Sequence, residues 1–195
     1  MNYSQGKSFL APRKLFKADK ALYFPNMRGY TLENAREVRD TSRVLAGSVS
    51  VVTVYSGTWA ERQCRTFFAG SRGEELQGLM KEARVQKVDI NIEEDWMKAG
   101  LIRLFLPNTR KNLERELWGR YFVVRRGFGE EMRQQLGIAN GKVGYVYLVD
   151  ESWKIRWAGS GVAEEGEREG LLAGVKRLTG RVMAGGKGLP IAAVR

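Results

Sequence analysis

Residues 49–64 read VSVVTVYSGTWAERQC. The first seven, Val49 to Tyr55, carry no charge and are dominated by β-branched side chains. No polar–apolar alternation marks a solvent face, so both faces should be buried, as in a central strand of a helix-covered sheet. Ser56 and Gly57 form a turn, and a helix is predicted from about Trp59 to Phe68. Such a strand–turn–helix can carry a reactive cysteine at the start of the helix, where the dipole and the backbone N–H groups stabilise a thiolate. The chain's one cysteine, Cys64, arrives only after Trp59, Ala60, Glu61, Arg62 and Gln63. The stretch therefore poses a choice between thiol chemistry and a scaffold that has lost it.

Working outward, YFPNMRG (23–29) combines turn residues with apolar anchors and should pack on the body. Thr31 is placed to cap a short helix over Leu32–Arg39. After the opening helix, Leu76, Leu79, Met80 and Ala83 recur at helical spacing, predicting a second helix over Glu74–Arg84. VQKVDINI (85–92) is a strand, and EEDWMKAGLIRLFL (93–106) is a third helix candidate. RYFVVRRG (120–127) is a strand, and EEMRQQLG (130–137) is a short helix closed by Gly137. GYVYLVD and KIRWAGSG pair as a β-hairpin through Glu151 and Ser152, and a helix over Glu164–Leu178 closes the domain. The order β-α-β-α-β-α-β-β-α indicates an α/β mixed sheet with helices on both faces.

Three segments follow: a basic stretch over residues 1–18, a domain over 19–179 and a flexible tail over 180–195. The first stretch has no acidic residue and carries Lys7, Arg13, Lys14 and Lys17, the character of a mitochondrial presequence or of a basic linker. The tail is Gly-rich, basic and free of acids.

Composition narrows the chemistry. The 195 residues suffice for one domain with a sizeable core. There is no histidine, which excludes Ser-His-Asp and Cys-His catalysis and argues strongly against a zinc site. One cysteine cannot form an internal disulfide. The net charge of +11 favours an anionic partner: nucleic acid, a membrane surface or an acidic protein face. No RNP-like, KH or zinc pattern supports nucleic acid.

Five blocks carry a resemblance: FKADKALYFPNMRG, SVSVVTVYSGTWAERQ, VDINIEEDWMK, RYFVVRRG and NGKVGYVYLVDESWKIRWAGSG. Their order resembles the thioredoxin-like, in particular peroxiredoxin-like, superfamily. Together they resemble the mitochondrial ATP synthase assembly factor family, over roughly residues 16–178. The resemblance implies a non-enzymatic chaperone with no cofactor. It also implies a peripheral location on the matrix side of the anionic mitochondrial inner membrane. Its expected partners are newly made membrane subunit a (subunit six) and the ring of c-subunits, with no nucleic acid. No catalytic or metal residue comes with it.

Set against thioredoxin-like enzymes, the sequence has lost both halves of the redox site. Aligning Trp59 with the tryptophan before a C-x-x-C motif puts Ala60 and Gln63 at the cysteine positions. Cys64 follows one residue later, about 100° further round the helix, and should face away as a small core residue. Gly144 stands where such enzymes hold a cis-proline. The alternative function is a peroxiredoxin-like or thioredoxin-like oxidoreductase using Cys64. Asp89, Asp150 and Glu93–Asp95 read as capping carboxylates and less well as an acid–base or Mg²⁺ site. For client binding, the candidates are an apolar patch of Tyr23, Phe24, Met27 and Trp153, rimmed by Arg28, Arg125, Arg126 and Lys154.

Overall fold

A computed structural model describes residues 7–82, 85–93, 109–111 and 113–180. Seven strands form one sheet: β1 (Arg28–Thr31), β2 (Val38–Asp40), β3 (Val49–Tyr55), β4 (Val85–Ile92), β5 (Tyr121–Val124), β6 (Tyr145–Val149) and β7 (Ile155–Ser160). Their spatial order is β2-β1-β5-β4-β3-β6-β7. β3 pairs parallel with β4 and antiparallel with β6, and β4 pairs parallel with β5. All seven residues of β3 are buried, as its lack of alternation requires.

Each face of the sheet has its own core. On one face Val52, Val54, Ile90, Phe122, Tyr145 and Tyr147 pack with Leu45 of α1 (Thr41–Leu45) and Leu136 of α4 (Glu130–Leu136). On the other, Val51, Tyr55, Leu148 and Trp157 pack with α2 (Gly57–Arg65) and α3 (Gly70–Glu82). Phe67, in the 3₁₀ turn after α2, joins them, as do Leu171 and Val175 of α5 (Glu165–Leu178). The thioredoxin-like mixed sheet, the terminal hairpin and the closing helix match the sequence expectation. Gly137 ends α4 at φ 67°, where its lack of a Cβ removes the left-handed penalty.

Three expectations need correction. The helix expected over Leu32–Arg39 is absent: β1 leaves through a turn, where the Asn34 amide donates to Thr31 Oγ1 at 3.2 Å, and the chain returns as β2. Pairing of β1 with both β2 and β5 overrides the local helical pattern. Asp89 lies within β4 and does not end it. The basic N-terminal stretch is not separate from the domain over residues 7–17. The helix expected over 93–106 falls almost wholly outside the described residues, as does the tail beyond Gly180.

That N-terminal stretch forms a strap along β7 and α5. The Ser8 and Phe9 amides donate to Ser160 Oγ at 3.1 and 3.0 Å. Trp157 Nε1 donates to the Pro12 carbonyl at 2.7 Å. Lys7 and Glu167 form a buried ion pair at 2.5 Å, and Glu167 also accepts from the Ala11 and Glu164 amides. Further along, the Phe16 amide bonds Arg156 O and the Ile155 amide bonds Leu22 O. The strap thereby covers the open edge of β7, which would otherwise template pairing with another chain.

Removing Glu167 leaves a lysine buried without its counter-charge. Glu167→Ala should cost about 3 kcal/mol in chemical denaturation. It should also open the strap to limited proteolysis ahead of global unfolding. An unchanged midpoint would show that the strap is not anchored by this carboxylate.

Candidate functional site

The turn after β3 places the N-terminus of α2 against the start of β6, where redox enzymes of this architecture would act. Here the space is filled. Ala60 is fully buried, and the Gly144 amide donates to Gln63 Oε1 at 2.9 Å. A proline at 144 would have no N–H to give. The Gly144 carbonyl accepts from the Gly161 amide at 2.9 Å. Both backbone groups of Gly144 are therefore spent inside the protein, leaving none to pair with an incoming chain.

Gly144 is also a steric necessity. A Cβ there would lie 2.2 Å from the Ala60 carbonyl oxygen and 2.7 Å from Cys64 Sγ. This geometry corrects one expectation. Cys64 does not face away from the redox position but shares a face with Ala60, one turn later, and both abut Gly144. It is a packing residue nonetheless. Only 1% of it is exposed, and its thiol points to the Tyr145 carbonyl at 3.5 Å. Burial, reinforced by the charge of Asp89, pushes its pKa well above the ordinary thiol range. A thiolate nucleophile needs the opposite environment.

Beneath α2 lies a polar cluster that the sequence reading took for capping. Asp89 accepts from Thr53 Oγ1 at 2.6 Å and from Lys87 Nζ at 2.5 and 2.7 Å. Burial, with the Asp89 charge beside them, raises the pKa of Tyr55 and Tyr121. The carboxylate is neutralised within the structure, so this pocket of about 240 Å³ presents a paired charge and not an open acid or base. Asp150 organises the β6–β7 turn: its Oδ1 accepts from the Ser152 and Lys154 amides, and Oδ2 pairs with Arg156. Glu94 and Asp95 lie outside the described residues. Among the described residues, no group of three His, Cys, Asp or Glu side chains is placed to hold a metal ion.

The eight candidate client residues divide. Phe24 and Met27 are core residues, 5% and 1% exposed; Phe24 meets the Tyr147 ring edge-on, and they are withdrawn as contact residues. Tyr23 and Trp153 are exposed and lie together, since Tyr23 bridges Lys154 and the Phe24 amide bonds Trp153 O. Lys154 is half-buried, with Nζ on the Ala18 carbonyl and over the Tyr23 ring. Arg28, Arg125 and Arg126 are elsewhere. Arg28 is five residues from Tyr23, at most about 18 Å even for an extended chain, and Arg125 and Arg126 follow β5, four strand positions from β7. The expected single rimmed patch is thus two pockets that meet at Asn26.

The three arginines line a groove of about 930 Å³ beside β1, β5 and α4. Tyr30, Val38, Val124 and Met132 supply its apolar surface. Arg28 and Arg126 are exposed, whereas Arg125 is half-buried with its guanidinium over the Tyr30 ring at 5.2 Å. Glu93 is the one acid among the described residues lining it. Nothing in the sequence signalled that Tyr30 and Met132 face one groove, and the helix expected over 32–39 hid the strand that brings Val38 to it.

A mixed sheet with helices on both faces, and a sealed redox position after β3, defines a thioredoxin-like protein without the paired cysteines. Solved structures agree on the fold. A thiol:disulfide interchange protein DsbE from Chlorobium tepidum superposes with a TM-score of 0.52 at 16% identity, covering 82% of this chain and 99% of that one. A SCO1/SenC family lipoprotein from Bacillus anthracis str. Ames gives 0.52 at 17%, covering 82% and 96%. The family model described as ATP10 protein matches residues 1–178, and the chain belongs to that family, in agreement with the resemblance drawn from the sequence blocks. Among its relatives is the mitochondrial ATPase complex subunit ATP10 of Eremothecium gossypii, 36% identical over 179 residues and 89% of this chain. That of Saccharomyces cerevisiae is 28% identical over 192 residues and 90% of this chain. The chain spans 64% and 66% of these two relatives' own lengths.

Two measurements check the sealed site. Gly144→Ala should destabilise by about 2 kcal/mol or more, because α2 must move to admit the methyl. In the native protein Cys64 should resist iodoacetamide at neutral pH and react only on unfolding. The sign of its pH dependence follows from its raised pKa. The contribution is intact below the ordinary thiol value, about 8.5, and falls as pH rises above it, because the unfolded chain deprotonates first. Cys64→Ser should flatten that alkaline slope. Rapid native alkylation would overturn the packing role.

Proposed function

We propose that this chain is a non-enzymatic assembly factor of the mitochondrial F-type ATP synthase. In this reading it works as a peripheral protein on the matrix side of the inner membrane. It binds newly made membrane subunit a and promotes its assembly with the c-ring. The observation that carries the non-enzymatic part is the Gln63–Gly144 contact, which occupies the position where a redox member of the fold would act. The relatives' names, mitochondrial ATPase complex subunit, support the choice of complex.

Client recognition is assigned to the groove between β1, β5 and α4. A nascent membrane subunit exposes apolar helices until its partners arrive, so its chaperone needs an apolar surface with a polar rim. Tyr30, Val38 and Met132 supply the first, and Arg28 and Arg126 the second. Tyr23 and Trp153 line a separate, smaller pocket that meets the groove at Asn26. No helix among the described residues is long and apolar enough to cross a membrane.

Charge reversal tests the groove. Arg28→Glu with Arg126→Glu should leave thermal stability within about 0.5 kcal/mol per site, since both are exposed. Arg125 is left alone because it packs on Tyr30. Crosslinking to subunit a and assembly of the membrane sector should both fall. Equal crosslinking at equal abundance would remove the groove from the client interface. Separately, Cys64→Ser should retain assembly activity. Loss of that activity with the fold intact would revive the thiol-dependent alternative.

A further inference from the structure

We propose that the strap and the β6–β7 turn form a lipid-contact surface, selective for anionic bilayers and distinct from the client groove. The proposal rests on the peripheral-membrane reading for its setting and on the following geometry for its location.

Large apolar side chains stand out from the body here. Phe16, Leu22, Tyr23 and Trp153 are 41%, 62%, 62% and 40% exposed. All four are fastened to one short run of chain. The Phe16 amide bonds Arg156 O, the Ile155 amide bonds Leu22 O, Tyr23 bridges Lys154, and Trp153 O takes the Phe24 amide. Residues 153–156 span about 10 Å at strand rise, so the four residues flank one short length of the edge, with consecutive Leu22 and Tyr23 turned to its two sides. Trp153 also holds a left-handed backbone, φ 64°, unusual for a bulky residue. Asp150 fixes this turn, and the ring is kept outward with about two-fifths of its surface in water.

The charges are interleaved with the apolar groups. Lys14, Lys17 and Lys20 are exposed on the same strap. The 17–21 turn is closed by the Lys20 and Ala21 amides on Lys17 O, which sets Lys17 and Lys20 between Phe16 and Leu22. Asp19 and Glu151 are the neighbouring exposed acids, so the surface stays positive. Exposed aromatic and aliphatic residues alternating with lysines match the interfacial zone of a bilayer. Rings and leucine enter the headgroup–acyl boundary, while lysine stems lie flat and keep their ammonium groups at the phosphates. A protein partner fits less well, because lysine is depleted from protein interface cores. Nucleic acid would leave Leu22 without a stacking or hydrogen-bonding role. With this edge on the lipid, the arginine groove begins within about 18 Å of Tyr23 along the chain, beside the membrane and free to receive a client emerging there.

Flotation with vesicles tests this without the client. The whole chain should float with phosphatidylcholine–phosphatidylglycerol vesicles and not with phosphatidylcholine alone. Lys14→Gln, Lys17→Gln and Lys20→Gln together should lower partitioning on the order of a hundredfold. Phe16→Ser with Leu22→Ser should lower it about tenfold. The Arg28→Glu, Arg126→Glu pair should float as the parent does, because its distance exceeds the Debye length of about 8 Å at physiological salt. Thermal midpoints of the variants control for folding. The proposal is overturned if the parent fails to float, if it floats equally on neutral vesicles, or if the groove pair loses as much as the strap variants. Strap variants that float normally but lose retention on RNA or on an acidic protein would overturn it equally. Crosslinking to subunit a reads the groove alone, so failure of either proposal is visible without the other.

Discussion

Much of this molecule depends on how closely α2 sits on the start of β6. Gly144 has no side chain, so the Ala60 carbonyl and the Cys64 sulfur fill the volume where a Cβ would stand. Gln63 then satisfies the Gly144 amide from the same helix. Packing and hydrogen bonding are achieved by neighbouring residues of one helix, so neither can be moved without the other. The helix is in turn held over β3, whose burial on both faces leaves it no freedom to tilt. A redox enzyme needs its helix start open to solvent and to a second polypeptide. This seating buries Ala60 and Gln63, the two positions such an enzyme would use, although Gly57 to Trp59 stay exposed.

Closing that site shifts the available chemistry to the edges of the sheet. Towards one edge, a groove opens beside β1, β5 and α4, with Arg28 and Arg126 at its border and Arg125 packed on Tyr30. At the other, the strap satisfies β7 with backbone bonds, packs Phe9, Ala11 and Leu15 on the core and turns Phe16, Lys14, Lys17 and Lys20 outward. The segment that joins them, residues 22–28, crosses beneath the sheet and gives Phe24 and Met27 to the core. A single short stretch thus supplies an exposed tyrosine, two core residues and a groove arginine. Its neighbours in sequence are not neighbours in function.

Much of the fold was legible in the sequence because burial writes directly into residue pattern. The unbroken apolar run of β3 marked a central strand, VQKVDINI marked β4 to the residue, and Gly137 marked the end of α4. The misreadings came where tertiary partners decide. Thr31 reads as a helix cap for Leu32–Arg39, yet β1 offers Val38–Asp40 hydrogen bonds that a local pattern cannot reveal. Asp89 looked like a cap because carboxylates near strand ends usually are. Only the neighbouring Thr53 and Lys87 make it a buried, paired group. Phe24 and Tyr23 are adjacent aromatics, and nothing in their order says which one enters the core.

By itself the sequence determined which chemistry is missing: no histidine, no paired cysteines and no proline at Gly144. These are matters of composition and spacing, and folding cannot supply a functional group that the chain lacks. The tertiary structure decided where the remaining groups act. It divided one expected patch into two pockets that meet at Asn26, because strand order in a sheet is set by long-range pairing and not by position along the chain. It also bound the basic N-terminal stretch to the body. The buried Lys7–Glu167 pair and the Trp157–Pro12 bond join residues far apart in sequence, and such bonds exist only once the sheet and α5 have come together.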